Sequence, residues 1–329
     1  MPEYCVTGGT GFIASHLIRA LLAAGHTVRA TVRDPSDHAK VGFLWDLEGA
    51  DERLQLLRAD LLVEGSFDAA VSGVDGVFHA ASPVVVSYED GKDAQEKLVD
   101  PIVKGAGNVL RSCARAAIPP RRVVFTSSCS SVRYRHHHVH GGAPPALNES
   151  HWSDADYCRT YGLWYAYAKT VAEKEAWRLA TEHGLDLVVV NPSFVIGPVL
   201  GRAAPTSTAL VVLALLKGDL GKYPNTTIGF VHVDDVVLGH VLAMEDGRAS
   251  GRLICSGDVA HWSEVLGALR ERYPQYPIPT ECSGGKGDDR AHKMDTSKME
   301  ALGFPPFLSI QQMFDDCIKS FQDKGLLLP

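Results

Sequence analysis

Thr7-Gly8-Gly9-Thr10-Gly11-Phe12-Ile13-Ala14 decides the fold of this 329-residue chain. The short apolar run Tyr4-Cys5-Val6 precedes it, and Leu17, Ile18, Leu21 and Leu22 follow at helical spacing, so the order is strand, glycine turn, helix. Gly8 permits the tight turn, Gly11 lets the backbone come close to a pyrophosphate, and the small Ala14 lets helix and strand pack closely. The phosphates would rest on the helix N-terminus, where free N–H groups and the helix dipole favour anions. As a bare pattern, Gly-x-x-Gly-x-x-Ala is common. Its place at residue 8, with a second strand from Thr27 to Val32 at βαβ distance, makes it a dinucleotide-binding turn, with Thr7 to Ile13 as its contacts.

The second strand runs into Val28-Arg29-Ala30-Thr31-Val32-Arg33-Asp34. An acid near such a strand's end holds a ribose 2′-hydroxyl, whereas an arginine accommodates a 2′-phosphate. Arg33 therefore points to NADP(H), with Lys40 as a second cation, while Asp34 keeps NAD open.

Composition narrows the functional classes. The chain is 45% hydrophobic, enough to fill a sizeable core, and its formal charge of -7 with no basic run argues against nucleic acid or an anionic membrane as partner. Seven cysteines lie scattered without C-x-x-C spacing. That odd count, with the first strand starting almost at Met1 and no apolar stretch able to span a bilayer, predicts reduced thiols in the cytoplasm. Both a monomer and a homodimer fit this composition.

Strands and helices alternate along the chain, which predicts an α/β Rossmann fold: a doubly wound parallel sheet with helices on both faces. A third strand, Leu54 to Leu57, exits through Ala59-Asp60-Leu61 toward the adenine. A fourth, Gly76-Val77-Phe78-His79, exits through Ala80-Ala81-Ser82, small residues that let the nicotinamide end pass close to the backbone. A fifth, Arg122 to Thr126, ends in Ser127-Ser128-Cys129-Ser130-Ser131, and a sixth, Asp186 to Val190, leaves through Asn191-Pro192. Ligands in such sheets bind beyond the carboxyl ends of the strands, so these exits should line the site. Pro192, Val195 and Ser207 complete the expected cofactor contacts. Residues 1–190 read as the nucleotide-binding domain, with 228–245 returning to it; 191–227 and 246–329 read as a smaller C-terminal substrate-binding lobe.

The chemistry points to Tyr165 and Lys169 in Leu-Trp-Tyr-Ala-Tyr-Ala-Lys-Thr (163–170). Residues four apart share a helix face, and an ammonium beside a phenol is expected to lower the phenol's pKa toward the operating range of a general acid. Tyr167 is a second phenol, but no lysine lies four residues beyond it. Ser128 would polarise a carbonyl that Tyr165 protonates. The histidines His136, His137, His138 and His140 lack the partners and spacing of a zinc site, so no metal is expected and the stretch reads as an exposed loop.

Thr-Gly-x-x-Gly-x-x-Ala, Ser128 and Tyr165-x-x-x-Lys169 together resemble the extended short-chain dehydrogenases/reductases. Ala30-Thr31-Val32-Arg33-Asp34-Pro35, Ala59-Asp60-Leu61, Glu64-Gly65-Ser66-Phe67-Asp68 and Gly76-Val77-Phe78-His79 are similar to the plant branch of dihydroflavonol reductases, cinnamoyl-CoA reductases and their relatives. Lys40-Val41-Gly42-Phe43-Leu44-Trp45, Ser128 to Arg135, Leu147 to Asp154, Asn191 to Pro198 and Ala260-His261-Trp262-Ser263-Glu264 resemble, within it, the tetraketide α-pyrone reductases, the second type in particular. The resemblance implies NADPH-dependent reduction of a ketone on a polyketide pyrone, on the path to pollen-wall sporopollenin, with Ser82, Ser130, Arg133 and Tyr161 facing substrate. Cinnamoyl-CoA, a dihydroflavonol or an aldehyde are the alternative substrates. Two departures count against them: dihydroflavonol reductases carry asparagine where this chain has Arg133, and cinnamoyl-CoA reductases read Asn-Trp-Tyr-Cys-Tyr-Gly-Lys where it has Leu163 to Lys169. A non-catalytic NADP(H) sensor on this fold would carry a damaged Ser/Tyr/Lys set, and here all three are present.

Overall fold

Apolar runs bounded by glycine, proline and aspartate become the strands. The computed structural model describes residues 1–83, 88–135, 146–201, 207–284 and 291–328, and the histidines at 136–140 lie outside them. In chain order the strands are β1 (Glu3–Thr7), β2 (Thr27–Val32), β3 (Leu54–Arg58), β4 (Gly76–His79), β5 (Arg122–Thr126), β6 (Ala146–Leu147), β7 (Leu187–Pro192), β8 (Phe194–Ile196), β9 (Thr227–His232), β10 (Gly251–Cys255), β11 (Val259–His261) and β12 (Lys293–Met294). Seven of them pair in parallel in the order β10-β7-β5-β4-β1-β2-β3. The chain winds outward from β1 through β2 to β3, then crosses back to β4 and winds the other way, so the order reverses between β1 and β4.

A parallel sheet covered on both faces needs apolar side chains on both, and β4 and β7 are buried at every position. The pleat divides them. Tyr4, Val6, Phe78, Val124, Val188 and Val190 join one core with Leu17, Ile18 and Val236. Cys5, Val77, Val123, Phe125 and Val189 join the opposite core with Leu110, Ala176 and Leu179. On that second face the helices Asp100–Arg115 and Trp164–His183 lie side by side, with Ala106 and Ala176 in this core and Ala168 and Ala172 clustered with Ile102 beside it.

A three-stranded sheet, β11-β9-β8, and the helices Ser207–Leu216, Trp262–Arg272 and Ile310–Asp323 build a separate core around Phe230, Trp262, Phe314 and Phe321. Phe12, at the start of the first helix, packs against both this core and that of the main sheet. The structure redistributes two expected stretches. Of residues 228–245, only the helix Val233–Glu245 returns to the main sheet, packing on the first helix and on β7, while β9 pairs in the small sheet. In the other direction β10, expected in the smaller lobe, is the edge strand of the main sheet, its register running from Gly251 on Val188 to Cys255 on Pro192. There Leu253, Ile254 and Cys255 are fully buried, and they cover the row of N–H and C=O groups that β7 would otherwise leave open. Among the described residues, no helix is long and apolar enough to cross a membrane.

Candidate active site

The site assembles where β1 and β4 diverge. Gly8 sits at φ +74°, a left-handed conformation, and a Cβ on it would stand 2.9 Å from the Cα of Ala81. The turn closes with Gly11 N–H donating to the Gly8 carbonyl at 2.8 Å, and Gly11 caps the helix Phe12–Ala23 without any acidic residue in its first turn. No carboxylate there competes with an incoming phosphate. The Thr7 hydroxyl bonds His79 Nδ1 at 2.8 Å and accepts from the Ala81 N–H at 3.0 Å, tying β1 to the exit of β4. Ser82, next to Ala81, has a buried hydroxyl with no partner among the described residues. An orphaned donor beside a turn too tight for any Cβ fits a dinucleotide cradle.

Arg33 and Lys40 are both exposed beyond β2, and Lys40 pairs with Asp37 at 2.7 Å. Arg33 makes no hydrogen bond or ion pair with the described residues. Asp34 is engaged elsewhere, accepting from the Ser36 hydroxyl at 2.8 Å and from Arg58 at 2.8 Å; these bonds hold its carboxyl below the usual range, the Ser36 contribution leading. At the exit of β3, Asp60 accepts from the Leu62 N–H at 2.8 Å, and the Leu61 carbonyl accepts from Asn108 at 2.7 Å. Ala80 and Ala81 leave β4 at the centre of this edge. Pro192 holds the serine turn through its carbonyl, which accepts from Cys129 N–H at 2.8 Å. Val195 is buried in β8, and its carbonyl accepts from Thr208 at 2.6 Å; Ser207 begins that helix at φ +56°.

The catalytic candidates meet at the exit of β5. Ser128 is buried, its Oγ accepts from the Ser130 N–H at 3.1 Å, and its side chain lies near enough to the Tyr165 phenol to act on its titration. Tyr165 lies in the first turn of the helix Trp164–His183 and is 45% exposed, yet its hydroxyl end reaches inward to Ser128. That geometry corrects the expected titration. Burial raises the Tyr165 pKa, with the Ser128 side chain opposing, and Lys169 does not act to lower it. The reason is where the ammonium points. Lys169 is buried, and its Nζ donates to the Thr126 carbonyl at 3.1 Å and lies 5.7 Å from the Phe125 ring. Burial pulls its own pKa down to about 8, and the charge of Glu173 works against that fall. His79, also buried, is driven down to about 3, first by burial and then by Lys169, so it is neutral. Near neutral pH the site thus holds a protonated phenol and an ammonium one helical turn apart.

Of the expected substrate residues, Ser130 and Arg133 lie in the turn and short helix after Ser128, and Tyr161 ends the helix Ala155–Thr160, largely exposed. Arg133 is buried and donates to the Thr227 carbonyl at 2.8 Å, strapping that helix to β9. Ser127, one of the expected cofactor residues, donates its hydroxyl to Glu173 Oε2 at 2.5 Å. Glu173 and Arg252 were missed by reading the sequence. A signal existed for each: Glu173 stands four residues after Lys169 on an alanine-rich face, and Arg252 interrupts the apolar run of β10.

Residues 4–254 match the NAD dependent epimerase/dehydratase family. The chain is 61% identical to tetraketide alpha-pyrone reductase 2 of Arabidopsis thaliana, over 99% of this chain and 100% of that protein. It is 43% identical to a cinnamoyl-CoA reductase of Medicago truncatula, over 97% of this chain and 95% of that one. Among solved structures it is similar to vestitone reductase from alfalfa (TM-score 0.81, 34% identity, 99% of this chain and 100% of that one). It also resembles a yeast methylglyoxal/isovaleraldehyde reductase complexed with NADPH (TM-score 0.82, 25% identity, 99% and 100%).

Two glycines separate backbone strain from steric contact. Gly73 shares the left-handed conformation at φ +73°, but open space surrounds the point where a Cβ would stand, so Gly73→Ala is expected to lower unfolding free energy by about 1–2 kcal/mol. Gly8→Ala adds the contact with Ala81 and should lose more. Urea unfolding of both variants checks this, and equal losses would mean that the Gly8 cradle yields without resistance.

Proposed function

The chain belongs to the NAD dependent epimerase/dehydratase family, and from that premise we propose that it is an NADPH-dependent reductase of a ketone carbonyl on a tetraketide α-pyrone, giving a secondary alcohol. The observation that carries the reaction is the placing of Ser128 and the Tyr165 phenol together at the carboxyl edge of the sheet, with Lys169 buried one turn away. The likeness to tetraketide alpha-pyrone reductase 2 over the whole chain supports the substrate, and with it a place in making sporopollenin precursors of the pollen wall. Seven unpaired cysteines support a reducing, cytoplasmic setting.

Residues 7–13 and Ala80 to Ser82 would hold the dinucleotide, and Arg33 with Lys40 its 2′-phosphate. Bound there, NADPH supplies the hydride. Ser128 orients the substrate carbonyl by donating to its oxygen, and Tyr165, kept protonated by burial, passes its proton to that oxygen as negative charge develops. The ammonium of Lys169, buried one helical turn away on the Thr126 carbonyl, would hold the ribose of the dinucleotide. The smaller lobe, 191–227 with 246–329 less β10, would cover the substrate.

A panel assay of NADPH oxidation with hydroxyalkyl α-pyrone precursors, dihydroflavonols, cinnamoyl-CoAs and simple aldehydes should show the highest kcat/KM for the pyrones; preference for a thioester would transfer the reading to the cinnamoyl-CoA class. Tyr165→Phe is expected to reduce kcat by about two to four orders of magnitude, the span of a general acid, while NADPH still binds. Near-normal turnover would remove Tyr165 from its role. Arg33→Asp should reverse the preference for NADPH over NADH, measured as the ratio of kcat/KM for the two, and an unchanged ratio would refute the assignment of Arg33.

A further inference from the structure

Glu173 has no exposed side-chain surface, and its carboxylate gathers donors from three strand ends. Oε1 accepts from Arg252 Nε at 2.5 Å. Oε2 accepts from Ser127 Oγ at 2.5 Å, Ser131 Oγ at 2.6 Å and Asn191 Nδ2 at 2.9 Å, with Arg252 NH2 at 3.4 Å. Ser127 and Ser131 bracket Ser128, and the same network reaches that residue's backbone: the Ser128 carbonyl lies 2.8 Å from Ser131 Oγ and 3.2 Å from Asn191 Nδ2. Arg252 has its own anchors. Its guanidinium stacks on Trp152 at 3.9 Å and donates to the carbonyls of Glu149, at 3.0 Å, and His151.

We infer that the buried Glu173–Arg252 ion pair is a positioning device, through which the helix bearing Tyr165 and Lys169 holds the Ser128 turn in register. The inference rests on Ser128, Tyr165 and Lys169 being the catalytic set. Its physical basis is that a buried ion pair is a weak source of stability, since apolar residues of the same volume often do as well, whereas its directional bonds specify one geometry. Here every bond to the carboxylate comes from the exit of β5, the exit of β7 or β10, and the carboxylate itself projects from the catalytic helix. Ser127 and Ser131 each have a single hydroxyl proton, and the carboxylate is the strongest acceptor in reach, so both hydroxyls point into the pair.

The pair also sets the charge around Lys169. Facing that ammonium are Glu173 from its own helix, neutral His79 from β4, and the Thr126 carbonyl and Phe125 ring from β5. Glu173 is the one negative charge among these described groups, balanced on its far side by Arg252. Replacing it by a neutral amide leaves Arg252 uncompensated, and both changes disfavour the ammonium. The alkaline limb of kcat, where Lys169 loses its proton, should therefore move to lower pH.

The test compares wild type, Tyr165→Phe, Glu173→Gln and Ser131→Ala, with whichever carbonyl of the panel the wild type reduces fastest. Glu173→Gln is expected to lower kcat about 10- to 100-fold, the effect of misplacing a catalytic group by about an ångström, with KM for NADPH changed less than threefold and the alkaline limb shifted down. Wild-type kcat in a folded Glu173→Gln protein overturns the inference, as does a loss of kcat with the limb unmoved, which would reduce Glu173 to packing. If that variant does not fold, Ser131→Ala decides: several-fold lower kcat at unchanged KM upholds the positioning role, and wild-type kcat overturns it. Tyr165→Phe separates the two levels, because full activity in that variant would refute the catalytic set itself.

Discussion

Everything in this site hangs on the reversal of strand order between β1 and β4. Neighbouring parallel strands ordinarily send their connections across one face, and at the reversal two connections leave in opposite directions and open a crevice at the carboxyl edge. Gly8 and Ala81 flank it, close enough that no Cβ fits between them. The bond from Thr7 to His79 fixes their separation. Because all seven strands are parallel, every other exit, the serine turn included, arrives on the same edge.

Beneath that edge the protein carries a polar layer inside an apolar sheet. Thr7 with His79, Thr126 with His240, Lys169 on the Thr126 carbonyl, and Glu173 with Arg252 are all buried. His79 and His240 are neutral because burial drives both pKa values far down, so each can accept from a threonine hydroxyl without bringing charge into the core. The charged groups that remain are balanced differently. Glu173 and Arg252 pair directly, and removal of either would leave a charge whose burial costs about 3–5 kcal/mol. Lys169 has only a carbonyl and a more distant carboxylate, which is why its pKa falls to about 8. An ammonium held so loosely, with a pKa so far displaced, suits the role proposed for Lys169.

Much of this was legible before any coordinates. The glycine turn, the alternation of apolar runs with amphipathic stretches and the Tyr165/Lys169 spacing depend on local geometry: residues a turn or a pleat apart face the same way in any helix or strand. The Ser309 hydroxyl, which caps the last helix by accepting from the Gln312 N–H, is local in the same sense. What misled was pairing. β9 and β10 are both short and apolar, and nothing within either says which sheet it joins.

By itself, then, the sequence determined a doubly wound nucleotide fold, the tight glycine turn after its first strand and the spacing that sets Tyr165 and Lys169 one helical turn apart for the proposed proton transfer. These follow from periodicity, backbone freedom and side-chain chemistry, all of them short-range properties. Only the tertiary structure decided that β10 rather than β9 closes the main sheet, that Lys169 points to Thr126 instead of lowering the Tyr165 pKa, and that Glu173 finds Arg252 across 79 residues of chain. Those outcomes depend on burial and on contacts between distant segments. A carboxylate, a lysine or an edge strand acquires its energy, and so its role, from whatever the fold places beside it after water has been removed.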